Sequence, residues 1–183
     1  MPRRLIRTGL LLLLAVCPAC NSGPTSTTAA TEALAHFHSF PFTLELQNLD
    51  GKKISLADYR GKVVIVDLWG TWCPPCREEI PHLVDLYKKY HRDGLDIIGV
   101  NIERLSGQAA HKAIRKAIAD LQIPYECVLG DNRTQRQVPG LEGYPTTLFI
   151  DRTGKVRFMF SGYAPESAIE SIVAVLLAER PPA

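Results

Sequence analysis

Little in this sequence points toward nucleic acid. Its formal net charge is only +2, and Arg3, Arg4 and Arg7 are the sole charged side chains in the first nineteen residues. With those three set aside, the 21 Lys and Arg fall to 18, against 19 Asp and Glu. The remainder is close to neutral and carries no basic footprint. No internal repeat is visible. The apolar run Leu10 to Val16 is too short to cross a bilayer, which takes about 20 apolar residues. No CxxC is followed by His, so covalent haem attachment is not indicated. There is no His or Met cluster to hold copper, and a zinc site would need two ligands beyond any cysteine pair. What remains is an ordinary globular composition, 46% hydrophobic and 22% charged, long enough for one domain behind a targeting segment.

That segment is residues 1–20. Arg3, Arg4 and Arg7 form a positive n-region before the apolar stretch, as in a signal peptide. Cys20 follows Pro18-Ala19, which resembles a bacterial lipobox, in which the cysteine is lipidated and becomes the new N-terminus. The expected location is the bacterial cell envelope, facing the periplasm and anchored to a membrane through Cys20. Asn21-Ser22 lacks the Asp associated with inner-membrane retention. Cys17 to Cys20 has CxxC spacing but lies inside the export signal and is a decoy. Residues 21–39 are expected to form a flexible tether, because Asn21 to Thr31 is rich in Ser, Thr, Gly, Pro and Ala. His36 and His38 read as exposed tether residues rather than as a metal site.

The domain proper is expected over residues 40–183. Phe42, Leu44 and Leu46 alternate with polar residues, Asn48 to Gly51 form a turn, and Ile54 starts the return strand of a hairpin. Val63 to Trp69 is almost continuously apolar, as in a strand buried on both faces. Pro74 to Tyr90 predicts a helix, with two prolines in its first turn, a kink at Pro81 and a stop at Gly94. Leu95 to Val100 predicts a strand, and the Ala110 to Leu121 stripe a helix. A short strand follows near Cys127. Thr146 to Ile150 and Val156 to Phe160 predict a hairpin, and a last helix opens at Pro165. The order implies an α/β domain with a mixed central sheet and helices on both faces.

Cys73 and Cys76 stand at the start of the first long helix. In an oxidising compartment two such thiols can form a disulfide. Unpaired N–H groups and the positive end of the helix dipole stabilise a thiolate there, most of all at the first cysteine. Cys73 is therefore the expected nucleophile and Cys76 the resolving thiol. Structural zinc, a merely stabilising disulfide and a copper-binding thiol pair are the competing readings. Asp67 interrupts the buried strand, and burial should raise its pKa. It is a candidate acceptor for the Cys76 proton; the alternative is a hydrogen-bonded structural Asp. Glu79, one turn beyond Cys76, tunes that thiol, shapes the substrate groove, or is a solvated helix carboxylate, as Glu78 beside it is expected to be. Cys127 reads as a small buried side chain.

The run Val66-Asp67-Leu68-Trp69-Gly70-Thr71-Trp72-Cys73-Pro74-Pro75-Cys76 resembles the active site of the thioredoxin superfamily. Asp58 to Val64, the hairpin around Asp50-Gly51-Lys52, and Gly143 to Asp151 with Gly154-Lys155-Val156 resemble its TlpA/ResA branch. The resemblance runs from Phe40 to Leu177. It implies a thioredoxin fold with an N-terminal β-hairpin extension, and it implies that Pro145 is a cis-proline packed beside the cysteines. Tyr144, through its backbone, and Trp72, with the Pro74-Pro75 dipeptide, would then hold an extended substrate segment. Glu79 matches an active-site Glu of ResA-like members. The implied activity is thiol–disulfide exchange without a cofactor or metal, in the reducing direction and, in this branch, often for cytochrome c maturation. The implied partners are exported proteins with disulfides and a membrane thiol–disulfide electron donor, with the chain itself a monomer. A disulfide oxidase or isomerase, a peroxiredoxin-like peroxidase and a lipid-anchored metal-binding module are the alternatives. The peroxidase wants Thr where Gly70 stands.

Overall fold

The computed structural model describes residues 26–179. Cys17, Cys20 and the whole expected signal segment lie outside the described residues. In chain order the elements are α1 (Ser26–His36), β1 (Glu45–Gln47), β2 (Lys53–Ser55), a 3-10 turn (Leu56–Tyr59), β3 (Val63–Trp69), α2 (Pro74–Tyr90), β4 (Leu95–Asn101), α3 (Gly107–Asp120), β5 (Glu126–Leu129), α4 (Asn132–Arg136), β6 (Thr146–Ile150), β7 (Val156–Ser161) and α5 (Glu166–Ala178).

Five strands form one mixed sheet in the order β5-β4-β3-β6-β7. β3 pairs in parallel with β4 and antiparallel with β6, so it is central and bonded along both edges. Every residue of β3 is buried, which is why its sequence reads as an unbroken apolar run. Alternate side chains serve two different layers. Val63, Ile65 and Trp69 face α2, α3 and α5, and Val64, Val66 and Leu68 face the N-terminal hairpin and Val138. The expected thioredoxin-like α/β fold is therefore present, with the hairpin β1–β2 added beside it. In that hairpin Asn48 Oδ1 accepts the N–H groups of Asp50 and Lys52, at 3.0 and 2.9 Å. Gly51 takes φ +80°, a conformation that suits glycine.

α2 spans the expected Pro74 to Tyr90. Pro81 sits on its exposed side and does not end it. α4, five residues long, was not expected. The tether expectation is corrected for residues 26–36. These form α1, which packs on α5, with Ala30 and Leu34 only 5% and 6% exposed. Alanine favours helix, and two apolar residues four apart share one face. Phe37 then packs on Phe158, with ring centroids 5.5 Å apart, and fixes the exit of α1. His36 and His38 are exposed, as expected.

A docked α1 has a measurable consequence. Leu34→Ala should lower the unfolding free energy by about 2–3 kcal/mol, whereas Glu32→Ala, on the exposed side, should change it by less than about 0.5 kcal/mol. Denaturant titration of both variants decides. Equal, near-zero effects mean that α1 does not dock.

Candidate active site

β3 ends at Trp69, and the chain turns through Gly70, Thr71 and Trp72 into α2. The turn is tight. A Cβ on Gly70 would lie 2.7 Å from the indole nitrogen of Trp72, a distance no side chain tolerates. Cys73 is the N-cap of α2 and donates its own N–H to Gly70 O at 3.1 Å. Its Sγ accepts the N–H of Cys76 at 3.3 Å. Pro74 and Pro75 supply no N–H, so one backbone donor reaches this sulfur where a proline-free turn offers more.

Cys73 and Cys76 form a disulfide, with Cα atoms 5.4 Å apart. Cys76 is sealed at 0% exposure, and Cys73 shows a 3% opening. Both residues are buried, and Cys73 is the less deeply buried of the two. Pro145 lies buried across a cis peptide bond from Tyr144. Its carbonyl accepts the N–H of Gly162 at 2.8 Å. The Tyr144 ring meets the edge of Trp72 with centroids 5.6 Å apart, and its hydroxyl donates to Gln135 Oε1 at 2.7 Å. The Trp72 indole N–H donates to Ile102 O at 2.9 Å, and the Arg104 guanidinium sits 3.5 Å over its ring. Trp72, Tyr144, Pro74, Pro75 and Pro145 are thus gathered around the CxxC segment, with Pro74 and Pro75 exposed.

Two carboxylates are buried, Asp67 on β3 and Glu79 one turn beyond Cys76 in α2. Asp67 is 1% exposed, and its Oδ1 has no partner among the described residues. Burial, and after it the charge of Glu79, pushes its pKa well up. Glu79 is also 1% exposed, so the solvated reading of this residue fails, while Glu78 is exposed as expected. Glu79 Oε1 accepts the Thr147 hydroxyl at 2.9 Å, and Oε2 accepts the Ala164 N–H at 2.8 Å. Burial raises the Glu79 pKa, and these two hydrogen bonds oppose the rise. Thr147 stands directly across from Asp67 in the β3–β6 register, so one residue of the sheet links the two acids. Thr147 and Ala164 gave no sequence signal, because their roles depend on strand register and on a loop 85 residues away. Cys127 is a buried free thiol whose pKa burial pushes up. No group of three or more metal-ligating side chains occurs among the described residues.

A helix-capping disulfide, a cis-proline following the tyrosine that packs on Trp72, and this sheet order define a thioredoxin-like redox protein. The chain belongs to the AhpC/TSA family, whose model matches residues 38–159. It is 29% identical to thiol-disulfide oxidoreductase ResA of Bacillus subtilis (strain 168) over 174 residues, covering 95% of this chain and 93% of that protein. It is 30% identical over 123 residues to the ResA of Bacillus thuringiensis subsp. konkukian (strain 97-27), covering 67% and 68% respectively. Among solved structures it is similar to a thiol:disulfide interchange protein of the thioredoxin family from Chlorobium tepidum TLS. That match has a TM-score of 0.67 and 26% identity, and it covers 78% of this chain and 99% of that one. This protein is an enzyme, a thiol–disulfide oxidoreductase of the ResA type with Cys73 and Cys76 as its CxxC pair.

Because the native state holds the Asp67 proton more tightly than the unfolded chain does, stability falls as pH rises from the ordinary carboxylate range to the raised native value. Asp67→Asn should reduce this slope and leave the oxidised protein more stable than the parent above neutral pH, by at least about 1 kcal/mol. Denaturant unfolding from about pH 5 to about pH 9 measures it. Superimposable profiles would refute a buried, protonated Asp67.

Proposed function

We propose that the protein is a reductase of disulfides in exported proteins. The observation that carries this direction is the single backbone N–H at Cys73 Sγ. A strongly oxidising pair owes its potential to a stabilised dithiol, chiefly to a well-solvated nucleophilic thiolate. Here Pro74 and Pro75 withhold two donors, and the buried acids Asp67 and Glu79 disfavour further negative charge behind Cys76. A weakly stabilised thiolate leaves the pair ready to give up its electrons.

The steps balance as an exchange. The Cys73 thiolate attacks one sulfur of a substrate disulfide, and the other substrate sulfur leaves as a thiolate that takes a proton from solvent. Cys76 passes its S–H proton to Asp67 and attacks Cys73 Sγ. The second substrate sulfur departs, and the Cys73–Cys76 disulfide remains. Two electrons have moved from the enzyme to the substrate. A membrane thiol–disulfide donor restores the dithiol. Trp72, Tyr144, Pro145 and the Pro74-Pro75 dipeptide form the surface on which an extended substrate segment lies, beside the one sulfur with an opening. Glu79 is assigned to adjusting Asp67 and Cys76 from one helical turn away.

The signal-like residues 1–20 support an envelope location with Cys20 as the lipid anchor. No described helix is long and apolar enough to cross a membrane. The resemblance to the TlpA/ResA branch favours the haem-site cysteines of apocytochromes c as one substrate class. Peroxidase chemistry is not favoured, since the Trp72 indole fills the space a Thr at position 70 would occupy.

Insulin-disulfide reduction tests the assignment. Cys73→Ser should fall to the rate of the chemical reductant alone, and Cys76→Ser should accumulate a mixed disulfide at Cys73 whose partner mass spectrometry identifies. The parent's potential should lie near thioredoxin's, about −270 mV, and far from the about −120 mV of a strong oxidant. A Cys73→Ser variant as active as the parent, or a potential at the oxidising end, overturns the reading.

A further inference from the structure

We propose that Tyr125 and Trp69 are positioning residues that hold Asp67 ready to take the Cys76 proton, acting in a closed polar chamber over Gly99. The inference rests on the reading of Asp67 as the proton acceptor.

Three strands set the chamber's floor. Asp67 on β3, Gly99 on β4 and Cys127 on β5 stand side by side in register. Gly99 has no side chain, so the row has a gap next to Asp67. A Cβ at Gly99 would lie 3.0 Å from Trp69 Nε1, 3.1 Å from Cys127 Sγ and 3.5 Å from Tyr125 Cε2. An indole N–H, a thiol and the edge of a phenol ring therefore converge on one point beside the carboxylate. All three side chains are buried, at 0%, 6% and 7% exposure.

The polar atoms of the chamber lack protein partners. Asp67 Oδ1, Trp69 Nε1 and Tyr125 Oη are buried without a hydrogen bond among the described residues. A buried polar group left unpaired is costly. One acceptor and two donors buried in this row can satisfy one another through one internal water. The indole can only donate. Burial and the Asp67 charge push the Tyr125 phenol well up, so it keeps its proton and donates too. Both donors favour the ionised carboxylate over the acid.

The other groups facing Asp67 do not supply this help. Glu79, from α2, opposes the anion. Thr147, from β6, has its hydroxyl committed to Glu79. Cys127 stays a thiol, its pKa raised by burial. His82 acts on Glu79 rather than on Asp67. Cys76 is the proton donor itself. When Cys76 attacks Cys73 Sγ, its proton ends on Asp67, and Tyr125 and Trp69 keep their own. Without them Asp67 would hold a proton to higher pH and be a blocked acceptor there.

The test is the pH profile of kcat/KM for insulin-disulfide reduction by the full chain. A rise governed by Asp67 should move to higher pH in Tyr125→Phe by about half a pH unit, with the alkaline plateau kept. Trp69→Phe should move it the same way. Site-specific 3-fluorotyrosine at position 125, a stronger donor with nearly the parent's packing, should move it to lower pH and serves if Tyr125→Phe fails to fold. Carboxyl-13C NMR of Asp67 in the oxidised protein should follow the same signs. A profile and an Asp67 titration unmoved by Tyr125→Phe or the fluorinated ring overturn the inference. If Asp67→Asn leaves the rise unchanged, the reading of Asp67 as acceptor fails instead, and the two failures are distinct.

Discussion

The pairing of β3 with strands on both edges fixes nearly everything chemical in this molecule. Parallel pairing with β4 sets Asp67 opposite Gly99, and antiparallel pairing with β6 sets it opposite Thr147. A slip of one residue would turn Asp67 to the hairpin side and a valine or leucine to the cysteines. The same strand ends where Gly70 allows the chain to turn sharply into α2, so one rigid element carries Asp67 and leads directly into the redox pair.

That arrangement places two carboxylates in a medium where neither charges easily. Their surroundings separate them. Glu79 accepts from a hydroxyl and a backbone N–H, and both bonds favour its ionised form. Asp67 is more deeply desolvated and has a like-charged neighbour, and both raise its pKa. The more strongly perturbed acid is Asp67, and it gains or loses a proton most readily when the charge beside it changes. Conversion of a disulfide to a dithiol is such a change.

Much of the fold was legible because its elements announce themselves locally. The run Val63 to Trp69 and the two prolines opening α2 need no tertiary context, and the CxxC, Asp67 and the Gly143 to Asp151 segment lie in contiguous motifs. α1 was not legible, since its packing rests on Ala30 and Leu34 within a Ser, Thr and Ala composition typical of tethers. α4 is too short to show a period. In the site, Glu79 was visible but its surroundings were not. Its partners are 68 and 85 residues away, and only strand order brings them to it. Tyr125 and Gly99 gave no signal in the sequence, because their place near Asp67 depends on the alignment of three strands, which no single segment records.

The low dielectric behind the disulfide acts on the sulfur as well as on the acid. A fully buried Cys76 cannot become a free thiolate at low cost. On the proposed reading of Asp67 as the proton acceptor, loss of the Cys76 proton and attack on Cys73 proceed together, with charge passing from Asp67 to the departing substrate sulfur without resting on Cys76. As the proposed nucleophile, Cys73 faces the opposite demand, because it would wait as a thiolate for a partner. It meets that demand at the helix N-terminus, with one N–H at 3.3 Å and a small opening to solvent. One dipeptide, Pro74-Pro75, keeps that stabilisation small. The two sulfurs differ by three positions in sequence and occupy opposite electrostatic settings, and this difference gives the exchange its order.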